Sequence, residues 1–238
     1  MKWPLSIRVW FSLRRAVKLL SPVGRMAVQA FVKSQQKSGG YGGPGGGVEP
    51  YYTQFGVLLE QALKGCWIPR MRPLVVSFGK EEKDGGVYPL FFSFLNQELR
   101  LNRPSKEKLV RELQAFRAEK GGYAQTLQRP EPTTNATCAA LAMLWQVGAA
   151  DEESLQWLSS LQDETGGFRA NPESPIPDLL STGVAAFTLH LCGKKPKVEV
   201  ADFVESHWLE NGGFAPTLLD EYSDVEYVFY GLLALGSR

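Results

Sequence analysis

The sequence predicts an all-α fold, a closed ring of about five to six helical hairpins with apolar helices inside and amphipathic helices outside. Three observations carry this prediction. Paired glycines recur at Gly39-Gly40, Gly85-Gly86, Gly121-Gly122, Gly166-Gly167 and Gly212-Gly213, with intervals of 46, 36, 45 and 46 residues between first members. A helix with one apolar stripe precedes four of these pairs, and a segment apolar nearly all round follows the loop after them. An aromatic residue comes directly after the pair in "GGY" at 39 and 121 and in "GGF" at 166 and 212, and one residue late in "GGVY" at 85. A period of this length is the mark of units that bury their faces only against one another.

The elements follow in chain order. Residues 1–25 form a basic amphipathic segment, "IRVWFSLRRAVKLL" at its centre, with Arg8, Ser12, Arg15 and Lys18 near one face and Ile7, Trp10, Phe11, Val17 and Leu20 near the other. It suits either docking on the ring, as the outer helix that the last repeat lacks, or peripheral contact of residues 7–20 with an anionic bilayer. Residues 26–238 make up the repeat domain. Its outer helices are "RMAVQAFVKSQQKS", "KLVRELQAFRAEK", "EESLQWLSSLQDET" and "VADFVESHWLEN", where Leu109, Leu113 and Phe116, or Leu155, Leu158 and Leu161, recur at helical spacing. Glycine ends each one because it takes positive φ without a Cβ penalty. The run of seven glycines between Gly39 and Gly47 is therefore a repeat turn, rather than a linker or a phosphate cradle.

The inner helices are "YYTQFGVLLEQAL", "TNATCAALAMLWQVG", "LLSTGVAAFTLHLCG" and "DVEYVFYGLLALG". A helix apolar on every side must be buried on every side, which puts these around a common axis. A ring suits them better than an open solenoid, whose concave face would be solvated.

Composition narrows the function. With 26 Lys+Arg against 25 Asp+Glu, no overall field favours nucleic acid. The three cysteines, Cys66, Cys138 and Cys192, have apolar neighbours and no CxxC spacing, which reads as free thiols in a reducing compartment. No run reaches the length of a membrane span, and arginines interrupt the N-terminal apolar block that a signal peptide would need. A cytoplasmic protein, with or without peripheral membrane contact, is expected.

Two stretches carry a resemblance. "GGYGGPGGGVEPYYTQFGVLLEQAL" resembles the first-repeat glycine–proline turn of protein prenyltransferase β subunits, and "WLSSLQDETGGFRANPESPIPDLLSTGVAAFTLHLCG" resembles the prenyltransferase and squalene-cyclase repeat. The likeness covers roughly residues 25–238 and is weakest between Cys66 and Arg103. It implies an α/α toroid whose inner helices line a cavity for an isoprenoid or similar lipophilic ligand, with acid-rich loop ends at the mouth.

The resemblance also implies chemistry, and here the chain departs from it. Protein prenyltransferases hold zinc with an Asp-x-Cys pair and a later Asp-x-x-His-Thr. The first motif falls on Asp178-Leu179-Leu180 and the second on Asp224-Val225-Glu226-Tyr227-Val228, so one ligand of three is kept. His190 and His207 lie elsewhere and read as packing residues. Zinc is not expected, nor is classical protein prenylation, which also needs a partner subunit. The Asp-x-Asp-Asp acid of terpene cyclases is absent too, its nearest echo being Asp224-x-Glu226. A carboxylic acid kept protonated by a neighbouring carboxylate and low dielectric suits proton-transfer chemistry.

Asp224, Glu226 and Asp178 are therefore the catalytic candidates. Against them stands helix capping, since Asp and Thr oxygens at a helix start accept its orphan N–H groups. Arg169, after "GGF", is the candidate for a diphosphate, with Arg129 second, and Mg²⁺ would accompany such a substrate. Tyr52, Trp145, Phe187, Tyr227 and Tyr230, with Phe229, are the candidate lining of the cavity. Two functions stay open: a zinc-independent isoprenoid-processing enzyme, or a non-catalytic toroid binding a lipid or protein partner.

Overall fold

The computed structural model describes residues 2–43, 45–66, 85–99, 105–149 and 151–238. Residues 67–84 and 100–104, where the repeat pattern is weakest, lie outside the described residues. The helices are α1 (Leu5–Leu19), α2 (Pro22–Ser34), α3 (Pro50–Lys64), α4 (Val87–Leu99), α5 (Lys106–Gln114), α6 (Thr134–Gln146), α7 (Glu152–Ser160), α8 (Leu179–Leu191), α9 (Ala201–Ser206) and α10 (Val225–Leu235). Two short antiparallel pairs lie in the connecting loops: β1 (Gln36–Lys37) with β2 (Gly40–Tyr41), and β3 (Ala124–Thr126) with β4 (Arg129–Pro132).

Helices α3, α4, α6, α8 and α10 are the inner layer, and α2, α5, α7 and α9 the outer one. Neighbours in the inner layer run α4, α6, α8, α10, α3. The sequence pattern identifies four of these five. It misses α4, because Gly85-Gly86 leads directly into the helix without the intervening loop that marks the other repeats.

One hydrogen bond joins the turn of each of three repeats to its inner helix. The residue after the glycine pair buries its ring and donates its backbone N–H to a threonine on the first turn of the inner helix. These bonds are Tyr41 to Thr53 Oγ1 at 3.0 Å, Tyr123 to Thr137 at 2.8 Å and Phe168 to Thr182 at 2.9 Å. In the last repeat the Phe214 N–H finds Ser223 Oγ at 3.0 Å instead. All four rings are at most 3% exposed. The recurring threonine thus satisfies a buried donor that would otherwise be orphaned.

The first glycine of the pair fixes the ring closure. Gly166 has φ +90°, and a Cβ there would stand 2.5 Å from the carbonyl oxygen of Glu199, at the start of the next outer helix. Gly121 abuts Glu153 of α7 in the same way. For the last repeat the equivalent glycine, Gly212, also at φ +90°, abuts the Ala27 carbonyl of α2, which belongs to the first repeat. The seam is therefore closed by α2. Helix α1 takes a different place from the missing outer helix.

Helix α1 lies across the C-terminal ends of the inner helices. Arg14 Nη1 donates to the Ala62 carbonyl of α3 at 2.9 Å, and Arg15 Nε to the Gly236 carbonyl after α10 at 2.8 Å. Lys2 Nζ donates to the Trp145 carbonyl of α6 and sits 3.8 Å from the centre of its ring. The Leu5 N–H donates to Glu98 of α4 at 2.9 Å. These cations meet the terminal carbonyls and negative dipole ends of several parallel helices. Leu13, Ala16 and Val17 are at most 1% exposed beneath them. Residues 1–25 comprise this helix and the first turn of α2, so the boundary at 25/26 falls inside a helix.

Candidate functional site

The inner helices enclose a cavity of about 410 Å³, with α1 across its C-terminal end. Its lining falls at helical spacing on every inner helix: Tyr51, Gln54, Phe55 and Leu58 on α3; Tyr88, Phe91, Phe92 and Leu95 on α4; Asn135, Cys138, Ala139 and Ala142 on α6. Leu180, Val184, Phe187 and Thr188 come from α8, and Phe229, Tyr230 and Leu233 from α10. Leu5, Ser6 and Val9 of α1 complete it. Positions i, i+3, i+4 and i+7 share one helix face, so each stripe is the axial face of its helix. The wall is chiefly aromatic and aliphatic, with phenols, amides, a thiol and hydroxyls as its polar groups. No Lys or Arg side chain lines the cavity among the described residues.

The stripes start two residues after the helix N-cap, as at Glu49 and Tyr51, Thr133 and Asn135, Asp178 and Leu180. On α10 the N-cap is Asp224, and the corresponding position is Glu226, one turn above Phe229 and Tyr230. Glu226 is 6% exposed. It accepts a hydrogen bond from the Tyr51 hydroxyl across the gap between α3 and α10. Tyr230 lies against the same pair, its phenol in the field of Tyr51 and Glu226. Rings of Tyr51, Phe55, Phe229 and Tyr230 pack edge-on or tilted at centroid distances of 4.9 to 5.6 Å.

Burial pushes the Glu226 carboxyl up to about 7; the adjacent Asp224 adds to the push and the Tyr51 bond opposes it. Burial also raises Asp224, against the N–H groups of Tyr227 and Glu226 that its side chain caps. Tyr230 is likewise held well above the phenol range by burial and by the field of Tyr51 and Glu226. Glu226 is thus a buried carboxylic acid behind the cavity wall, joined to it by Tyr51, whose proton affinity burial raises to about neutrality. Such a group can donate or accept a proton at neutral pH, which an exposed glutamate does poorly.

The other candidates are dispersed. Phe187 and Tyr230 line the cavity. Tyr52 packs beside Tyr51 and over Gly43, one residue off the axial face. Tyr227 stacks against Tyr222 at a ring distance of 6.2 Å, outside the cavity. Trp145 sits at the opposite end, its ring covered by Lys2 and Arg8. Arg169 stands off the cavity, with Nη1 3.4 Å from the Pro172 carbonyl and its own carbonyl accepting from Thr134.

Asp178 uses one carboxylate oxygen to accept from the Ser181 N–H at 2.7 Å and the other from the Ser181 hydroxyl at 2.8 Å. Tyr51, Tyr88 and Asn135 are cavity residues that the sequence reading passes over. The N-cap plus two rule would have found them.

The residues do not fit the zinc of protein prenyltransferases. At the three corresponding positions, Leu180 is an aliphatic wall residue, Tyr227 faces Tyr222, and both oxygens of Asp178 are engaged in capping. Among the described residues no three His, Cys, Asp or Glu side chains converge as a metal site.

Comparison with known proteins agrees with this architecture. The family model described as "Prenyltransferase alpha-alpha toroid domain" matches residues 91–235. Among solved structures, the chain is similar to Candida albicans protein geranylgeranyltransferase-I complexed with GGPP. The TM-score is 0.57 at 14% identity, covering 98% of this chain and 82% of that one. No curated protein matches significantly in sequence. No helix among the described residues is long and apolar enough to cross a membrane.

Proposed function

The chain belongs to the prenyltransferase α/α-toroid domain family, and from that premise we propose that its central cavity holds an isoprenoid or similar lipophilic ligand without the help of zinc. The carrying observation is the cavity itself. All five inner helices and α1 line it with rings and aliphatic side chains, and its volume lies within the range of small-molecule sites, roughly 300–1,000 Å³. The bound GGPP of the structurally similar transferase supports the choice of an isoprenoid.

The proton-active group beside the cavity is Glu226, which reaches the lumen through the wall residue Tyr51. Asp224 raises its proton affinity and holds the helix end that carries it. Asp178 serves α8 as a cap in this reading, and Arg169 takes no part in ligand contact.

The test is direct. Purified protein is extracted with organic solvent and the extract analysed by mass spectrometry, and uptake of radiolabelled polyprenyl chains is measured by filter binding. Retained lipid and saturable uptake are expected, with uptake lost in Ala139→Trp, which fills the lumen. Uptake that survives Ala139→Trp in a folded variant contradicts the reading. Formation of a new product from the bound chain, lost in Glu226→Gln, assigns catalysis; tight retention with no product assigns a carrier or scaffold.

A further inference from the structure

Helix α1 has two faces, and the ring beneath it explains only one of them. Leu5, Ser12, Leu13, Ala16 and Val17 are buried, and Leu5, Ser6 and Val9 close the cavity. On the opposite side Phe11, Arg15, Lys18 and Leu19 recur at i, i+4, i+7 and i+8, the spacing of one helix face, and all four are exposed. A helix that only covered the ring would carry polar residues there.

The exposed apolar surface continues past the bend at Ser21 to Val23 and Met26, three residues apart on α2. Trp3 precedes α1. Trp3, Phe11, Leu19, Val23 and Met26 are 47 to 78% exposed. Among the described residues twelve large apolar side chains are exposed, and these five fall within the first 26 positions. Scattered apolar residues on a surface need no explanation, whereas a concentration of them marks a contact surface.

Charge decides what this surface fits. Residues 1–48 hold eight Lys or Arg and no Asp or Glu. Lys18 and Arg25 stand exposed among the apolar side chains, and Arg15 lies one turn from Phe11. Arg15 and Arg25 donate to the Gly236 and Leu63 carbonyls, which holds both guanidinium groups in place without neutralising them. Glu98 of α4, the carboxylate that acts on Arg8, is itself buried. Like charge disfavours a second copy of the same face. A bilayer containing anionic lipid suits both the apolar side chains and the cations between them.

We propose that the outer face of α1 and the start of α2 form a docking surface for an anionic membrane. Phe11, Leu19, Val23 and Met26 enter the headgroup layer, and Arg15, Lys18 and Arg25 meet lipid phosphates. The inner face of the same helix closes the cavity, so docking sets that end of the ring against a source of lipophilic ligand. The choice of a lipid surface over an acidic protein rests on the reading of the cavity as a lipophilic-ligand site.

Flotation of the full chain with vesicles tests the proposal, comparing phosphatidylcholine alone with phosphatidylcholine containing about 30% phosphatidylserine. The protein is expected to float with the anionic vesicles at about 50 mM salt and to be largely released at about 500 mM, where screening shortens the reach of its cations. Lys18→Ala should weaken the partition about 5-fold, the share of one cation near such a surface. Phe11→Ser combined with Val23→Ser should weaken it by about 10-fold or more through lost apolar burial. Leu218→Ser combined with Leu219→Ser, exposed in the loop before α10 at the opposite end of the ring, should leave it unchanged. Circular dichroism checks that each variant is folded.

Equal partition onto neutral and anionic vesicles overturns the proposal, as does partition that only the Leu218 and Leu219 changes reduce. A folded protein that ignores anionic vesicles overturns it as well. Dimers that Phe11→Ser dissociates would then assign the face to a second copy, and capture by a polyglutamate column would assign it to an acidic protein. Flotation and chain uptake are read separately. Uptake of polyprenyl chains without flotation sinks this proposal and leaves the cavity reading intact; flotation without uptake does the reverse.

Discussion

Replacing Glu226 by glutamine should stabilise the protein, by an amount that depends on pH in a fixed direction. The carboxyl titrates at 4.5 in an unfolded chain and at about 7 in the fold, and burial is the largest cause. Below about pH 4.5 the group is protonated in both states and contributes nothing to the difference. Between about 4.5 and 7 the folded state holds a proton that the unfolded state has released, so stability falls as pH rises through this window. Once the group is ionised in both states the accumulated cost is about 3 kcal/mol, at ~1.36 kcal/mol per pH unit.

Glu226 is 6% exposed, so little of this is screened by solvent. Glutamine keeps an acceptor for Tyr51 and carries no charge. Urea unfolding followed by circular dichroism at about pH 4.5 and pH 8 reads the effect. The two proteins should differ by under ~1 kcal/mol in acid, and the variant should be more stable by about 2–3 kcal/mol at pH 8, or roughly 5–10 °C in Tm. A difference that is the same at both pH values, or a variant less stable at pH 8, refutes the assignment of an ionisable group buried in an apolar wall.

Other outcomes follow from the repeat geometry. Thr182→Val removes the acceptor for the buried Phe168 N–H and should cost about 1–3 kcal/mol in chemical denaturation, with Thr182→Ser recovering most of it. Gly148 and Gly212 both have positive φ, but a Cβ at Gly148 meets open space whereas one at Gly212 meets the backbone of α2. Gly148→Ala should cost about 1–2 kcal/mol from conformation alone. Gly212→Ala should cost clearly more and raise hydrogen exchange across both α2 and α10; equal costs would mean an open seam.

Asp151 caps α7 while bonded to Arg117, Tyr123 and Ser154, and although burial raises its pKa, these bonds together hold it below the usual carboxylate range. Its contribution is therefore present above about pH 4 and lost as pH falls below that. Arg117→Ala should flatten the acid limb of the stability profile.

How much of this was legible in the sequence depended on which physical signal encodes each feature. Turns were legible because positive φ at Gly121, Gly166 and Gly212 calls for glycine. The threonines read as helix caps, whereas Thr53 and Thr182 accept from the buried N–H groups of the turns. Layer assignment was legible because one-stripe and all-round apolar helices read differently. The axial face of an inner helix was not. A helix buried on every side has no periodic contrast, so the sequence points to Tyr52 rather than Tyr51, although one residue turns a side chain about 100° around the axis.

Trp145 reads as a cavity residue for the same reason, whereas its position along the helix puts it at the end that α1 covers. The role of α1 was hidden because its cations read as a surface charge pattern. Their partners, the carbonyl ends of α3, α6 and α10, are brought together only by the ring.

The central claim is that a lipophilic chain lodges on the axis of the toroid. A farnesyl chain bearing a terminal diazirine, irradiated with the full-length protein and mapped by peptide mass spectrometry, tests it most directly. Crosslinks are predicted on axial residues such as Phe55, Ala142, Val184, Phe187 and Leu233, suppressed by excess unlabelled farnesol. Crosslinks confined to the outer helices α2, α5, α7 and α9, or unaffected by the competitor, would contradict it.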